Sequence, residues 1–155
     1  MSHECDHSSV GMLVWRDEKL LLLERKLPPF GFAPPAGHVD GDALFEDAAM
    51  RELREEVGLT ADSLKLLVEG RKDNTCRRSG GSWHYWKIYE VIAGGVVQGS
   101  AEETKQVNFV SKDVLLQLVE KTKRYIRKEI SDDEWEASPG LEPVWYEWLQ
   151  ELKII

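Results

Sequence analysis

The sequence has little of three features that would restrict its function. It contains two cysteines, Cys5 and Cys76, enough for one disulfide but not for a disulfide framework, so a reducing compartment is the simplest expectation. No apolar run approaches the roughly 20 residues of a membrane-spanning helix. The first 15 residues lack the charged start and long apolar centre of a signal peptide. We therefore predict a cytoplasmic protein with no membrane partner.

Positive charge is also scarce, since 20 lysines and arginines stand against 28 aspartates and glutamates, for a net charge of -8. This balance does not attract a phosphate backbone, so we expect no binding to a nucleic-acid polymer or an anionic membrane. A small phosphate-bearing ligand would be repelled too, unless bound cations and local arginines reversed the sign at its site. The acidity therefore favours metal dependence for any phosphate chemistry.

The length and composition suit one globular domain. The chain has 155 residues, of which 42% are hydrophobic and 31% are charged, and it has no internal repeat and no linker. We predict a single domain over residues 1–155, with residues 1–7 as a frayed tail. Strand patterns interleave with two or three helical patterns, which predicts an α/β or α+β layered fold.

Apolar runs and turn residues place the elements along the chain. The predicted strands are Ser9–Trp15 and Lys19–Glu24, paired as a hairpin, then Ala61–Glu69, Trp83–Ile92 and Val107–Val110. The predicted helices are Leu44–Val57, a helix that begins at Lys112 and continues into the basic Lys121–Lys128 segment, and Leu141–Leu152. The predicted loops are the proline-rich Lys26–Pro35, the polar Gly70–Ser82, the acidic Ala101–Gln106 and a break at Ser131–Gly140.

The first of these helices is unusually acidic on one side. At about 100° per residue, Glu52, Glu55 and Glu56 fall within one arc, and Leu53 and Val57 fill the neighbouring, core-facing arc. Like charges this close repel one another on a helix. A hard cation such as Mg²⁺ or Mn²⁺ over the carboxylates would remove that repulsion.

The segment Gly37–Leu59, GHVDGDALFEDAAMRELREEVGL, resembles the Nudix box, usually written G-x5-E-x7-R-E-U-x-E-E-x-G-U with U aliphatic. The residues in register are Gly37, Arg51, Glu52, Leu53, Glu55, Glu56, Gly58 and Leu59. One position departs from the pattern, because Ala43 stands where the family has its first glutamate. In proteins of this family that glutamate is understood to brace the loop against the arginine, a role that the adjacent Asp42 could partly fill.

The resemblance implies an α/β/α sandwich with a mixed central sheet. It also implies hydrolysis of a phosphoanhydride bond in a nucleoside diphosphate linked to another group, with Mg²⁺ or Mn²⁺, and frequent dimerisation. Arg51 would orient the acidic cluster, and Glu52 would bind metal or help to activate water. The implied metal ligands are Glu52, Glu55, Glu56, the backbone carbonyl of Ala36, and Glu103 from a later loop, which could instead be a general base.

Other residues are candidates for substrate contacts by position alone. Arg25, Arg77 and Arg78 could contact phosphates. Trp83 and Tyr85 share one face of a predicted strand and could stack on a base, although core packing explains most of the aromatic residues as well. Trp86, Trp145 and Trp148 are further stacking candidates, with the same alternative of core packing.

Two questions stay open at this point. Ala43 motivates a second hypothesis, in which the chain is a Nudix-fold nucleotide-binding or regulatory module with weak or no turnover. Cys5, His7, Cys76 and His84 could supply soft ligands to a zinc ion, but their spacing matches no closed zinc motif. An ordinary tail, two unpaired thiols and a structural His84 explain the same residues.

Overall fold

The computed structural model describes residues 3–155, which form a seven-stranded mixed sheet with helices on both faces. The strands are β1 (Ser8–Arg16), β2 (Lys19–Arg25), β3 (Phe32–Ala33), β4 (Ala36–His38), β5 (Thr60–Lys72), β6 (His84–Gly94) and β7 (Thr104–Val110). The helices are α1 (Phe45–Val57), α2 (Lys112–Ile126), α3 (Asp132–Ala137) and α4 (Pro143–Glu151). Within residues 3–155, no helix is long and apolar enough to cross a membrane.

Strand β1 lies at the centre of the sheet. The main order is β3-β2-β1-β6-β5, with β4 also paired to β1 and β7 to β2. Strand β1 runs parallel to β6 and antiparallel to β2 and β4. Asp17 and Glu18 connect β1 to β2 with φ values of 51° and 62°. Two consecutive positive φ values suit a two-residue hairpin turn, and the predicted hairpin is confirmed.

An apolar cluster lies on each face of the sheet, because β1 and β2 alternate their side chains between the two layers. Helix α1 packs Leu53 and Val57 into one cluster with Met12 of β1. Helices α2 and α4 cover the opposite face, where Leu115 and Trp145 meet the other side chains of the sheet. This arrangement confirms the α/β/α sandwich with a mixed sheet that the resemblance implied.

The helix ends follow local chemistry. Gly58 ends α1 at a φ of 72°, the left-handed conformation expected there. Ser111 caps α2, and its side chain accepts a hydrogen bond from the Val114 amide at 3.3 Å. In α4, Pro143 lies in the first turn, and Trp145 and Trp148 are each 1% exposed, so their predicted role in the core is confirmed.

Two strands begin or end away from their predicted limits. Strand β5 continues through Lys72, so the loop predicted at Gly70–Ser82 begins at Asp73. Strand β7 begins at Thr104 rather than Val107, within the segment predicted as an acidic loop. Most of the extra residues are polar, so hydrophobic alternation is weak there. The strands continue because the backbone of β5 pairs with β6 and that of β7 pairs with β2.

Two segments predicted to lack regular structure contain some. Phe32 and Ala33, in the proline-rich segment, form the short strand β3 against β2. The predicted break at Ser131–Gly140 contains α3, because Ser131 caps it and Trp135 anchors it with 3% of its surface exposed.

The N-terminal segment makes backbone contacts with the loop between β5 and β6. The Cys5 amide donates a hydrogen bond to the Ser79 carbonyl at 2.9 Å, and Glu4 forms a bridge with Ser79. Cys5 is 5% exposed. Fraying of residues 1–7 stays a prediction, and its part on Met1 and Ser2 lies outside the described residues.

Close packing of α4 on the sheet requires glycine at position 11. A Cβ atom there would lie 2.6 Å from Trp145 Cζ2 and 2.9 Å from Ile88 Cδ1. We predict that Gly11→Ala lowers the free energy of unfolding by about 1–3 kcal/mol in urea titrations, because the core is already full. The matched control is Gly70→Ala, whose new Cβ would meet Trp148 at an ordinary 3.7 Å. Equal stability of the two variants would contradict the close contact between α4 and β1.

Candidate functional site

A cleft of about 420 Å³ opens beside β4 and α1 and reaches the loop between β5 and β6. Several of the residues predicted from the sequence line it together: Arg25, Ala36, Glu52, Glu56, Arg77, Arg78 and Glu103. They come from β2, β4, α1, the β5–β6 loop and the turn before β7. The fold therefore gathers acidic and basic side chains from distant parts of the chain around one cavity.

Glu56 lies at the buried base of this acidic group. Its side chain is on the core side of α1, with 6% of the residue exposed, and its Oε1 accepts a hydrogen bond from the Ala36 amide at 2.9 Å. This bond joins α1 to β4. Burial raises the pKa of Glu56 well above its ordinary value, and the neighbouring Glu52 carboxylate raises it further.

Glu52 lies directly over Gly37, at the start of the segment 37–44 that leads from β4 into α1 and is called the glycine loop below. Any side chain at Gly37 would collide with the Glu52 carboxyl group, so glycine at position 37 makes room for this carboxylate. Burial raises the pKa of Glu52 to about 7, although the hydrogen bond from Arg51 acts in the opposite direction. Glu55 and Glu103 are among the charges that raise it. A carboxyl group with this pKa exchanges protons near neutral pH.

Arg51 holds the loop to the acidic helix. Its guanidinium group donates to Asp42 Oδ2 at 3.0 Å, to Glu52 Oε1 at 2.7 Å and to the His38 carbonyl at 2.9 Å. In the family, the glutamate that Ala43 replaces is understood to brace the loop against this arginine. Here the adjacent Asp42 makes the contact with Arg51 instead. Glu55 is on the outer side of this network, with its side chain 60% exposed and 3.4 Å from Arg51.

The turn that carries Glu103 is attached to the end of α1. The Ser100 amide donates to the Glu56 carbonyl at 3.1 Å, and the Lys26 amide donates to the Glu103 carbonyl at 2.8 Å. These backbone bonds connect the turn to both α1 and the end of β2. As a result, Glu103 lies at the same cleft as Glu52 and Glu56 although about 50 residues separate them in sequence.

The three candidate arginines differ in their surroundings. Arg25 lines the cleft, and its buried Nε has no hydrogen-bond partner among the described residues. Arg77 is exposed at the rim. Arg78 forms an ion pair with Asp40, with its Nη2 2.8 Å from Asp40 Oδ2, which ties the β5–β6 loop to the glycine loop.

Five of the predicted site residues do not line the cleft: Arg51, Glu55, Trp83, Tyr85 and Trp148, which is packed in the core. Arg51 and Glu55 lie beside it in the network described above. Trp83 stacks on His7, with 4.0 Å between ring centroids, and Tyr85 is 39% exposed elsewhere on β6. Trp86 of the same strand does line the cleft, and its indole donates to Asn74 Oδ1 at 3.0 Å.

Sequence reasoning missed Glu142, a buried carboxyl group on the cleft wall. Glu142 precedes α4, and its amide donates to the Phe32 carbonyl at 2.8 Å. Burial raises its pKa, and the charge of Arg25 lowers it. The residue type and its place before Pro143 indicate a helix start, but no local signal places it beside Arg25.

Sequence reasoning also missed His38, which joins Cys5, Cys76 and His84 in a compact cluster at one end of the cleft. His7 lies outside this cluster, since its ring bonds the Trp83 carbonyl and stacks on the indole. No histidine motif links position 38 to the other three in the sequence, so only the fold brings them together.

Several curated proteins match part of the chain. An ADP-ribose pyrophosphatase from Methanocaldococcus jannaschii is 39% identical over 61 residues, which are 38% of this chain and 36% of that protein. An asymmetrical bis(5'-nucleosyl)-tetraphosphatase from Caenorhabditis elegans is 34% identical over 62 residues, 37% of this chain and 45% of that protein. The chain therefore spans less than half the length of these curated relatives.

Solved structures share the fold over a longer stretch. A MutT Nudix hydrolase from Burkholderia pseudomallei superposes with a TM-score of 0.61 at 22% identity, over 69% of this chain and 84% of that one. A Nudix-family hydrolase from Clostridium perfringens gives a TM-score of 0.59 at 21% identity, over 72% and 85%. The family model described as NUDIX domain matches residues 6–132. Because that match covers most of the chain, the protein belongs to the Nudix family.

Proposed function

We propose that the protein is a divalent-metal-dependent hydrolase that cleaves the phosphoanhydride bond of a nucleoside diphosphate linked to another group. The observation that carries the proposal is the convergence of Glu52, Glu56 and Glu103 with Arg25 and Arg77 on one cleft. Cleavage of a phosphoanhydride needs charge neutralisation on the phosphate oxygens and an activated water. The names of the curated relatives, a pyrophosphatase and a tetraphosphatase, support the same class of bond.

The donor set fits Mg²⁺ or Mn²⁺, because both ions prefer carboxylate and carbonyl oxygens. Glu52, Glu56 and Glu103 would hold the ions, with Glu55 and the Ala36 carbonyl as the further predicted ligands. The raised pKa values of Glu52 and Glu56 support this role, since crowded, buried carboxylates gain most from a nearby cation. When bound, the ions would neutralise phosphate charge and lower the pKa of water.

The side chains of the cleft would position and activate the reactants. Arg25 lines the cleft, and its guanidinium group could donate hydrogen bonds to a phosphate oxygen there. Arg77 would add a second cation at the rim, and Arg78, through Asp40, would keep the loop that carries Arg77 in place. Glu52 would bind metal or help to activate water, and Glu103 is the alternative general base.

The substrate would be a small nucleotide-type molecule. Base stacking on Trp83 and Tyr85 remains a prediction of the sequence, and Trp86 and Trp145 are the stacking candidates that line the cleft. A cytoplasmic location and a homodimer likewise remain predictions.

The second candidate function is a nucleotide-binding or regulatory module with weak or no turnover, which Ala43 motivates. The bond between Arg51 and Asp42 favours the hydrolase instead, because it braces the loop from the adjacent position. Saturable nucleotide binding without product from any substrate would support the binding module.

The acidic cluster predicts that activity depends on the Glu56 carboxylate. We expect Glu56→Gln to lower kcat/KM by about 100-fold or more, because a buried metal ligand should matter at least as much as the groups that orient one. Product release would be measured over a panel of nucleoside triphosphates, dinucleotides and nucleotide sugars with Mg²⁺ or Mn²⁺. Glu120→Gln, on the exposed face of α2, is the matched control and should keep full activity. Unchanged activity of Glu56→Gln would refute this site assignment.

The Arg51 network predicts a rescue. We expect Asp42→Ala to lower kcat/KM by about 10- to 100-fold, because Arg51 loses the partner that braces the loop. Ala43→Glu alone should change little, since Asp42 already bonds Arg51. In the Asp42→Ala background, Ala43→Glu should restore most of the activity. If Ala43→Glu alone raised activity sharply, Asp42 would not be an adequate substitute for the family's glutamate.

The raised pKa values of the glutamates predict a pH-dependent effect of Mg²⁺ on stability. Because the folded-state pKa of Glu52 lies above its ordinary 4.5, the folded chain binds more protons than the unfolded one, and this contribution to stability falls as pH rises toward about 7. At pH 8 an ion displaces fewer protons from these carboxyl groups than it does at pH 6. We expect the rise in Tm on adding Mg²⁺ to be larger at pH 8 than at pH 6 by about 3 °C or more.

Thermal unfolding followed by circular dichroism at both pH values would measure this effect. The double variant Glu52→Gln/Glu56→Gln should lose the difference, and Glu120→Gln should keep it. A rise in Tm that is the same at both pH values would show that these carboxylates do not govern metal binding.

A further inference from the structure

The cluster of Cys5, His38, Cys76 and His84 has the donor atoms of a metal site that is separate from the carboxylates. Cys5 comes from the N-terminal segment, His38 from β4, Cys76 from the β5–β6 loop and His84 from the start of β6. One ligand atom of each residue lies within 4.8 Å of the corresponding atoms of the other three. Neither the family's metal chemistry nor the proposed hydrolysis uses these four side chains.

The separations match those of a tetrahedral ion. Cys5 Sγ lies 3.3 Å from His84 Nε2 and 3.6 Å from His38 Nε2. In a tetrahedral zinc site, Zn–S bonds of about 2.3 Å and Zn–N bonds of about 2.0 Å place sulfur and nitrogen about 3.5 Å apart. The two separations from Cys5 Sγ therefore already have the spacing that a shared ion would impose, and the other ligand atoms lie within 4.8 Å of one another.

We propose that Cys5, His38, Cys76 and His84 bind one structural Zn²⁺. Two thiolates would balance the charge of the ion and two neutral imidazoles would complete the tetrahedron, a donor set typical of zinc and unsuited to Mg²⁺. With four protein ligands the site is closed, so its role is to hold the chain together rather than to activate water. The carboxylates of α1 remain the site for the harder ions.

The backbone around the cluster is shaped for metal-bound sulfur. The His7 amide donates a hydrogen bond to Cys5 Sγ at 3.3 Å. The Cys76 amide donates to the Gly81 carbonyl at 2.8 Å, which closes the loop around the second thiol. Any side chain at Gly81 would collide with Cys76 Sγ, so the glycine provides the room that this sulfur needs. Such contacts from outside the ligand set orient and tune metal ligands.

The ion would add a further link between the N-terminal segment, β4 and the β5–β6 loop. It would fasten the N-terminal segment and the β5–β6 loop to β4, where the Cys5–Ser79 hydrogen bond and the Arg78–Asp40 ion pair already connect them. The loop bears Arg77, so zinc would also hold a candidate phosphate contact at the cleft. That last consequence rests on the proposed function, whereas zinc binding itself does not.

Metal analysis of the purified full chain tests the proposal. After dialysis against Mg²⁺ without added zinc, we expect about one zinc per chain by mass spectrometry of the metals. Cys76→Ser and His38→Ala should each lose most of it. His7→Asn is the matched control, because His7 neighbours the cluster without belonging to it, and it should retain zinc. Glu56→Gln should retain zinc as well, which separates this site from the acidic one.

A second measurement keeps the test informative if a variant fails to fold. The wild-type chain, stripped of zinc and titrated with Co²⁺, should show sulfur-to-cobalt charge transfer and the intense visible bands of a tetrahedral ion, both lost on adding zinc. Absence of zinc together with an octahedral cobalt spectrum would overturn the proposal. So would an intact mass two daltons low with no reactive thiol, because a Cys5–Cys76 disulfide would then occupy the cluster.

Discussion

The site depends on keeping the Glu56 carboxyl group out of water at the base of the cleft. The Ala36 amide holds it at 2.9 Å and so joins α1 to β4 where the glycine loop begins. Because this group is buried beside Glu52, its charged form is disfavoured, and its pKa is raised. The same burial makes a cation more effective here than at a surface, since the low local polarity strengthens attraction as well as repulsion. Packing of α1 therefore sets the electrostatics of the whole cleft.

Arg51 connects the acidic helix α1 to the glycine loop by hydrogen bonds. One guanidinium group bonds Asp42, Glu52 and the His38 carbonyl, so the loop conformation and the acidic helix cannot shift independently. This explains in physical terms how the chain accommodates Ala43: the adjacent residue supplies a carboxylate to the same guanidinium. It also links the two halves of the cleft, because the backbone of His38 meets Arg51 while its ring meets the cysteine cluster.

Local patterns predicted the parts of the structure that depend on local chemistry. The hairpin, the acidic helix ending at Gly58 and the cap at Ser111 follow from turn residues, periodicity and capping, and the structure confirms them. The polar end of β5 and the polar start of β7 were predicted as loops. They are extended because each pairs with a neighbouring strand, and their own sequences carry no strand pattern. The positions of Glu142 and His38 at the cleft were not predicted either. Each residue reaches the cleft through tertiary contacts, which no spacing in the sequence indicates.

Two sets of ligands around one cleft raise the question of how each would obtain its own metal. Zinc binds nitrogen, oxygen and sulfur sites more tightly than the weaker-binding divalent ions do, so an acidic cluster alone could not exclude it by affinity. The thiolate and imidazole cluster would satisfy zinc in a closed site and leave the carboxylates to the more abundant hard ion. Arg51 holds the backbone of His38, and Glu52 lies over the adjacent Gly37. Loss of Zn²⁺ from the cysteine and histidine cluster would therefore shift the carboxylates that are proposed to bind Mg²⁺ or Mn²⁺, although none of those carboxylates binds the zinc.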